Sequence, residues 1–163
     1  MCHGRDEAVA VEIESATLAD VPELIELRLR YLTDDLGELS EGQRQSLPRE
    51  LEPYLRFHMG RDLMVFVARE DGIACCAWLL LVDKPPSPRF PRGRTGVLFN
   101  VYTRPEHRRK GLASAVMRGL LDDARARELD VVELHATDDG YPLYRSLGFE
   151  DDSTTHRAMR MML

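Results

Sequence analysis

Apolar and polar residues alternate over residues 11–15, as in a strand with one face buried (β1), after which the apolar spacing lengthens to that of a helix. Val21, Leu24, Ile25, Leu27, Leu29 and Leu32 define α1, ending near Tyr31, with Thr17 or Asp20 as its cap and Pro22 in its first turn. Residues 33–48 turn polar and acidic and read as a loop. A second helix, α2 (49–59), then carries Leu51, Tyr54, Leu55 and Phe57. Two apolar runs, β2 (63–68) and β3 (73–82), flank Glu70-Asp71-Gly72, a tight-turn sequence, and so form a hairpin. Pro85, Pro86, Pro88, Pro91, Gly93 and Gly96 make residues 83–96 a loop.

Beyond that loop the pattern reads β4 (97–103), α3 (111–128), β5 (131–136), a short helix α4 (141–147) ended by Gly148, and a last strand at 155–161. A strand, a helix and a strand in immediate succession require a parallel pair, so β4 and β5 run side by side with α3 as the crossover. The β2–β3 hairpin adds an antiparallel pair, and the sheet is expected to be mixed and mostly antiparallel. With no internal repeat or linker, the 163 residues are expected to form a single α/β domain, residues 1–10 being a flexible start.

Composition excludes more than it identifies. A formal net charge of −6 gives no overall attraction to phosphate backbones or anionic membranes, so neither a nucleic-acid nor a membrane partner is expected. It mildly favours a cationic small substrate. Cys2, Cys75 and Cys76 lack the spacing of a disulfide framework or a zinc site, and no metal is expected. Free cysteines, no apolar run of membrane length and no apolar stretch at the start fit a cytoplasmic protein. Cys75 and Cys76, in a continuously apolar strand, read as small core residues rather than nucleophiles.

Candidate chemistry concentrates where β4 passes into α3. The sequence from Val101 to Ala113 is strand, then a short basic turn, then helix, and a helix start exposes backbone N–H groups at the positive end of its dipole. Gly111 clears space for a phosphate to approach the backbone, Ala113 keeps the next turn small, and Arg108, Arg109 and Lys110 add positive charge. The turn therefore suits a di-anion. It lacks the Gly-x-x-x-x-Gly-Lys-Ser/Thr of a P-loop and the Gly-x-Gly-x-x-Gly of a dinucleotide fold.

Arg108-x-x-Gly111-x-Ala113, preceded by a strand and Pro105-Glu106, resembles the Gln/Arg-x-x-Gly-x-Gly/Ala signature of the GNAT acetyltransferases. Leu143-Tyr144-Arg145-Ser146-Leu147-Gly148-Phe149 is similar to the Leu-Tyr-x-x-x-Gly-Phe segment of the same family, and the opening strand and helix also match. Most of residues 11–161 is covered, residues 33–60 least well. The resemblance implies a sheet with a V-shaped split between β4 and β5, into which acetyl-CoA inserts as co-substrate. It implies that Val101, Tyr102, Thr103, Arg108, Arg109, Lys110, Gly111, Leu112, Ala113, Ser114, Thr137 and Tyr144 hold that molecule, the pyrophosphate lying on the basic turn. Thr103 would pair with the pantetheine arm, the Val101 N–H would face the thioester carbonyl, and Tyr144 would be the general acid. Thr137 occupies a position where the family often has asparagine.

Direct transfer of the acetyl group to a primary amine, expected to belong to a small molecule, follows from the same resemblance, and a homodimer would be unsurprising. The base is less defined. Residues 96–100 carry no Glu or Asp where some relatives do, leaving His135, with its near-neutral pKa, or water. Asp34, Asp35 and Glu38 are acids able to attract an ammonium on the acceptor side, and Asn100 reads either as a polar group in the cleft or as a bulge residue. The absent acid leaves open a second reading, an acyl-CoA-binding regulatory domain without transferase activity.

Overall fold

The structure, a computed structural model, describes residues 11–163; the expected flexible start, residues 1–10, lies outside the described residues. Five strands form one sheet in the order β1-β2-β3-β4-β5. These are β1 (Ile13–Ser15), β2 (Leu63–Arg69), β3 (Ile73–Asp83), β4 (Arg94–Thr103) and β5 (Val131–Glu133). Neighbours from β1 to β4 are antiparallel, and β4 and β5 are parallel. The helices are α1 (Val21–Leu36), α2 (Glu41–His58), α3 (Leu112–Ala126) and α4 (Tyr141–Ser146).

Two layers of helix explain why the central strands are apolar on both faces. Leu63, Val65, Val67 and Trp78 pack with Val21, Leu24 and Leu27 of α1 and Leu55 of α2. Met64, Phe66, Ala68, Ala77 and Leu79 meet Leu112, Val116, Met117 and Leu120 of α3 on the opposite face. Cys75 and Cys76 are buried in these two cores, and burial pushes their thiols up to about 11 and about 12 respectively. They are packing residues, as their apolar strand suggests.

Several expected boundaries move. α1 continues through the acidic residues to Leu36, closed by Gly37 in a left-handed conformation whose N–H donates to Thr33 O, 3.0 Å. α2 begins at Glu41 rather than residue 49. Ser40 and Gln43 form a reciprocal cap, with Ser40 Oγ accepting the Gln43 N–H and the Gln43 side chain accepting the Ser40 N–H, and the helix runs through Pro48 and Pro53. β4 starts early, at Arg94, because the hydroxyl of buried Thr95 donates to Val82 O, 2.9 Å, and extends the ladder.

The largest difference is at the end of the chain. No strand forms at 155–161: residues 150–163 carry no helix or strand, and Met159, Met161 and Met162 are exposed. Local side-chain turns occupy this backbone instead, Asp152 accepting from Thr154 N–H and Thr154 Oγ1 from His156 N–H. β5 is likewise shorter than expected, pairing with β4 only through Val131, Val132 and Glu133.

Candidate active site

β4 and β5 part company after one short stretch of ladder. Thr95, Gly96 and Val97 pair with Val131, Val132 and Glu133, and no pair follows. On the other side of β4 the register with β3 slips by one residue between Cys76↔Tyr102 and Trp78↔Phe99. The extra residue is accommodated at Asn100, which has a φ of 52° and is 1% exposed, so its identity as a bulge residue is settled. Beyond the bulge, Arg104 N–H donates to Ala74 O at 2.9 Å. Alternation along a strand then turns the amides of Thr103 and Val101 away from β3, to the side that β5 has left. The V-shaped split is therefore built by a bulge and a short partner strand.

A 3-10 turn, Pro105–His107, leads from β4 to the basic residues. Arg109 (φ 63°) and Gly111 (φ 76°) both adopt left-handed backbone, which curls the chain into the start of α3. A Cβ on Gly111 would meet nothing within 4 Å, so the backbone is approachable there. No side chain caps α3 and no acid lies in its first turn. The amides of Leu112, Ala113 and Ser114 thus have neither a helical partner nor a carboxylate, and they offer an anion-sized cradle at the positive helix end.

The side chains of the turn are less free than their charges suggest. Arg108 donates through Nε to Thr103 O, 3.0 Å, pairs with Asp34 at 3.1 Å and lies 5.6 Å above the Tyr102 ring. Lys110 pairs with Glu70 at 3.4 Å; His107 Nδ1 lies 2.8 Å from the same carboxylate, though off the line of a hydrogen bond. Among the described residues Arg109 alone of the three basic side chains makes no ion pair. Arg104 is a residue the pattern did not single out. It donates to Ile73 O at 2.8 Å and bridges Glu23 and Glu26 of α1 at 3.0 and 3.1 Å, tying the turn to the helix opposite.

Tyr144 reaches the mouth of the split from α4. It is half-buried, stacks edge-on with Phe149 at 5.9 Å, and burial holds its phenol above the ordinary value near 10, with smaller contributions from Tyr31 and Cys75. It therefore carries its proton throughout the neutral range. Thr137 shapes the turn before α4: its hydroxyl accepts Gly140 N–H at 3.1 Å and its carbonyl accepts Tyr141 N–H at 2.9 Å. Thr103 Oγ1 donates to Cys75 Sγ at 3.2 Å, while Tyr102 is buried on the α1 side of the sheet.

His135 lies beyond the end of β5, exposed rather than packed on a strand. It borders a cavity of about 970 Å³ that also touches Val97, Leu121, Tyr144 and Phe149 but not the basic turn. Of the three acids expected on the acceptor side, Asp34 is taken by Arg108 and Glu38 pairs with Arg44. Asp35 has no ion pair among the described residues. No described helix is long and apolar enough to cross a membrane.

Comparison with known proteins accords with this geometry. A family model described as the acetyltransferase (GNAT) family matches residues 23–149. Among solved structures, a predicted acetyltransferase with acetyl-CoA from Clostridium acetobutylicum is 26% identical with a TM-score of 0.79, covering 91% of this chain and 96% of its own. A Trypanosoma brucei acetyltransferase is 25% identical, with a TM-score of 0.68 over 94% of this chain and 99% of its own. A GCN5-related N-acetyltransferase from Ralstonia eutropha JMP134 shares the fold at 21% identity, with a TM-score of 0.73 over 91% and 98%. A search among curated proteins found no match. With an uncapped, glycine-opened helix start, a strand pair that splits beside it, and a family match spanning both, the chain belongs to the GNAT family of acetyltransferases.

Proposed function

We propose that this protein transfers the acetyl group of acetyl-CoA to a primary amine of a small molecule, by direct attack while both substrates are bound. The observation that carries the reading is the open helix start at Gly111 lying at the end of a strand that has lost its partner. A pyrophosphate fits the first and an extended, amide-bearing arm fits the second. The similar Clostridium acetobutylicum protein was solved with acetyl-CoA, which supports the same co-substrate here.

Bound acetyl-CoA supplies an activated acyl group and a thiol leaving group. The amides of Leu112, Ala113 and Ser114, with Arg109, hold its phosphates. Arg108 and Lys110 shape the cradle through Asp34 and Glu70. Thr103 and Val101 use their outward amides as a strand edge, and the Val101 N–H stabilises the negative charge that develops on the carbonyl oxygen during attack. Tyr144 keeps its proton by burial and donates it to the departing sulfur. Thr137 orders the turn that delivers Tyr144.

Asn100 takes the β4 position where an acid was sought, and its side chain is buried against Arg28, so β4 supplies no base. The amine gives its proton to water on the open side of the split, which exposed His135 adjoins. The missing acid is what favours the other reading, a domain that binds acyl-CoA without turnover. Calorimetric titration with acetyl-CoA followed by a thiol-release screen over primary amines separates the two. Micromolar binding with turnover supports transfer, binding without turnover across the panel supports the regulatory domain, and no binding refutes both.

A further inference from the structure

The stripe of α1 that faces the sheet carries a cation where its neighbours are apolar. Val21, Leu24 and Leu27 are fully buried, and Arg28 follows one turn after Leu24 on the same face. Its guanidinium carbon lies 5.4 Å from the Tyr31 ring centre and 5.9 Å from those of both Trp78 and Phe99. Among the described residues it makes one hydrogen bond, from Nη1 to the neutral amide oxygen Oδ1 of Asn100 at 3.0 Å. A guanidinium has five N–H donors, so most of its donors are unused. None of the unbonded nitrogens is sealed from solvent.

Three other arginines, on α1 and after the end of β4, have carboxylates, while Arg109 on the basic turn, like Arg28, has none among the described residues. Arg30 pairs with Glu26, Arg104 with Glu23 and Glu26, and Arg108 with Asp34. Arg28 has none within ion-pairing distance among the described residues, although burial works against its charge. A charge drawn out of water without a counterion is unfavourable unless something completes it. Its position is also informative: Asn100 is the bulge residue next to Val101. Arg28 therefore sits on the α1 side of β4, beside the bulge that opens the split.

We infer that Arg28 binds the carboxylate of the acceptor, so that the amine acetylated by this protein also carries a carboxylate, as an amino acid does. The inference rests on the amine-acetylating reading of the same site. A planar guanidinium matches a carboxylate in a two-pronged pair, and the Tyr31, Trp78 and Phe99 faces reduce the water around it. A phosphate dianion asks for a second cation, and the neighbouring arginines are already paired. Asp35 lies seven residues after Arg28, on the same face of α1 and exposed, where it draws the ammonium end of such a molecule toward the split.

The test needs no turnover. N-acetylglycine, N-acetylglutamate and N-acetylphenylalanine are titrated calorimetrically against their neutral amides, with and without CoA, in the wild type, Arg28→Lys and Arg28→Gln. The acids are expected to bind about 10-fold or more tightly than the amides. Arg28→Lys should narrow that ratio, and Arg28→Gln should bring it to about 1. A parallel acetyl-CoA titration and a urea melt show that the variants are folded. Equal binding of acids and amides by the wild type, no binding of either, or equal weakening of both in a folded Arg28→Gln overturns the inference. So does tighter binding of phosphoethanolamine, titrated alongside, than of any of the three acids. Failure of the wild type to bind acetyl-CoA refutes the proposed function instead, and is read separately because the carboxylate titration without CoA still reports on Arg28.

Discussion

Replacing Gly111 by glutamate separates charge from backbone strain at the phosphate cradle. Gly111 has a φ of 76° and a ψ of 11°, a left-handed conformation that costs an L-residue about 1–2 kcal/mol. Steric conflict adds nothing, because a Cβ there meets no atom within 4 Å. Any substitution should therefore lower stability by that amount, and for a chain of this size each kcal/mol lowers Tm by roughly 2–4 °C. Charge acts chiefly on the ligand, since the α3 dipole stabilises a carboxylate here by only about 0.3–1 kcal/mol. A carboxylate about 5 Å from one phosphate charge, at an effective dielectric near 20, is repelled by about 3 kcal/mol. That corresponds to more than about 100-fold in Kd. Gly111→Gln has the same bulk and the same strain without the charge. Calorimetric titration of both variants with acetyl-CoA should give a Gln variant weakened far less than the Glu variant, with the Glu variant melting no lower than the Gln variant, and the affinity gap should shrink as salt is added. Equal affinities of the two variants, or wild-type affinity in Gly111→Glu, would refute the placement of the pyrophosphate at this helix start.

Tyr144→Phe should lower kcat by about 10²-fold or more while leaving the acetyl-CoA Kd nearly unchanged; a loss under about threefold would make Tyr144 a wall of the cleft and no more. Because burial raises the phenol above its ordinary value, the wild-type rate should show no loss from this group as pH rises until beyond about 10. Arg104→Met removes the pairs to Glu23 and Glu26 and the bond to Ile73 O, and should destabilise the protein by about 1–3 kcal/mol in a urea melt. Arg104 holds the Glu26 carboxyl below its ordinary 4.5, so in the wild type this pair contributes stability above that value and loses it as pH falls through the lowered one. The acid-side loss of stability should be shallower in Arg104→Met, and an unchanged acid profile would deny the linkage. Cys75 and Cys76, buried with thiols raised to about 11 and about 12, should resist thiol reagents near pH 8 until the protein is unfolded. Fast labelling of either in the native protein would contradict the packing described.

How far the pattern reached depended on how local the cause was. The apolar runs located β1, β2 and β3 to within two residues, because each side chain's burial follows from its own place in a period. α2 was shortened because Pro48 and a polar run suggested a loop, while the Ser40-x-x-Gln43 cap that starts the helix lay within that run unread. The expected last strand failed for a different reason: strand propensity needs a partner edge, and the tail instead uses Asp152 and Thr154 to bond its own backbone. The turn 104–113 was legible as an anion cradle, since its glycine, helix start and charges are neighbours in sequence. Its wiring to Asp34 and Glu70 was not, because both partners lie on distant elements. Arg28 had one visible sign, a cation on the buried stripe of α1, that amphipathic spacing alone passes over.

By itself, then, the sequence determined the succession of strands and helices as far as α4, the parallel pair about α3, and the family through two motifs whose residues act within a few positions of one another. Only the tertiary structure decided where the sheet splits, because that depends on a register slip between β3 and β4 and on β5 stopping after Glu133. It also decided which charges are satisfied and which remain open to a ligand. Ion pairing depends on distances between residues far apart in the chain, so Arg108 is bound to Asp34 while Arg28, among aromatic rings, has none.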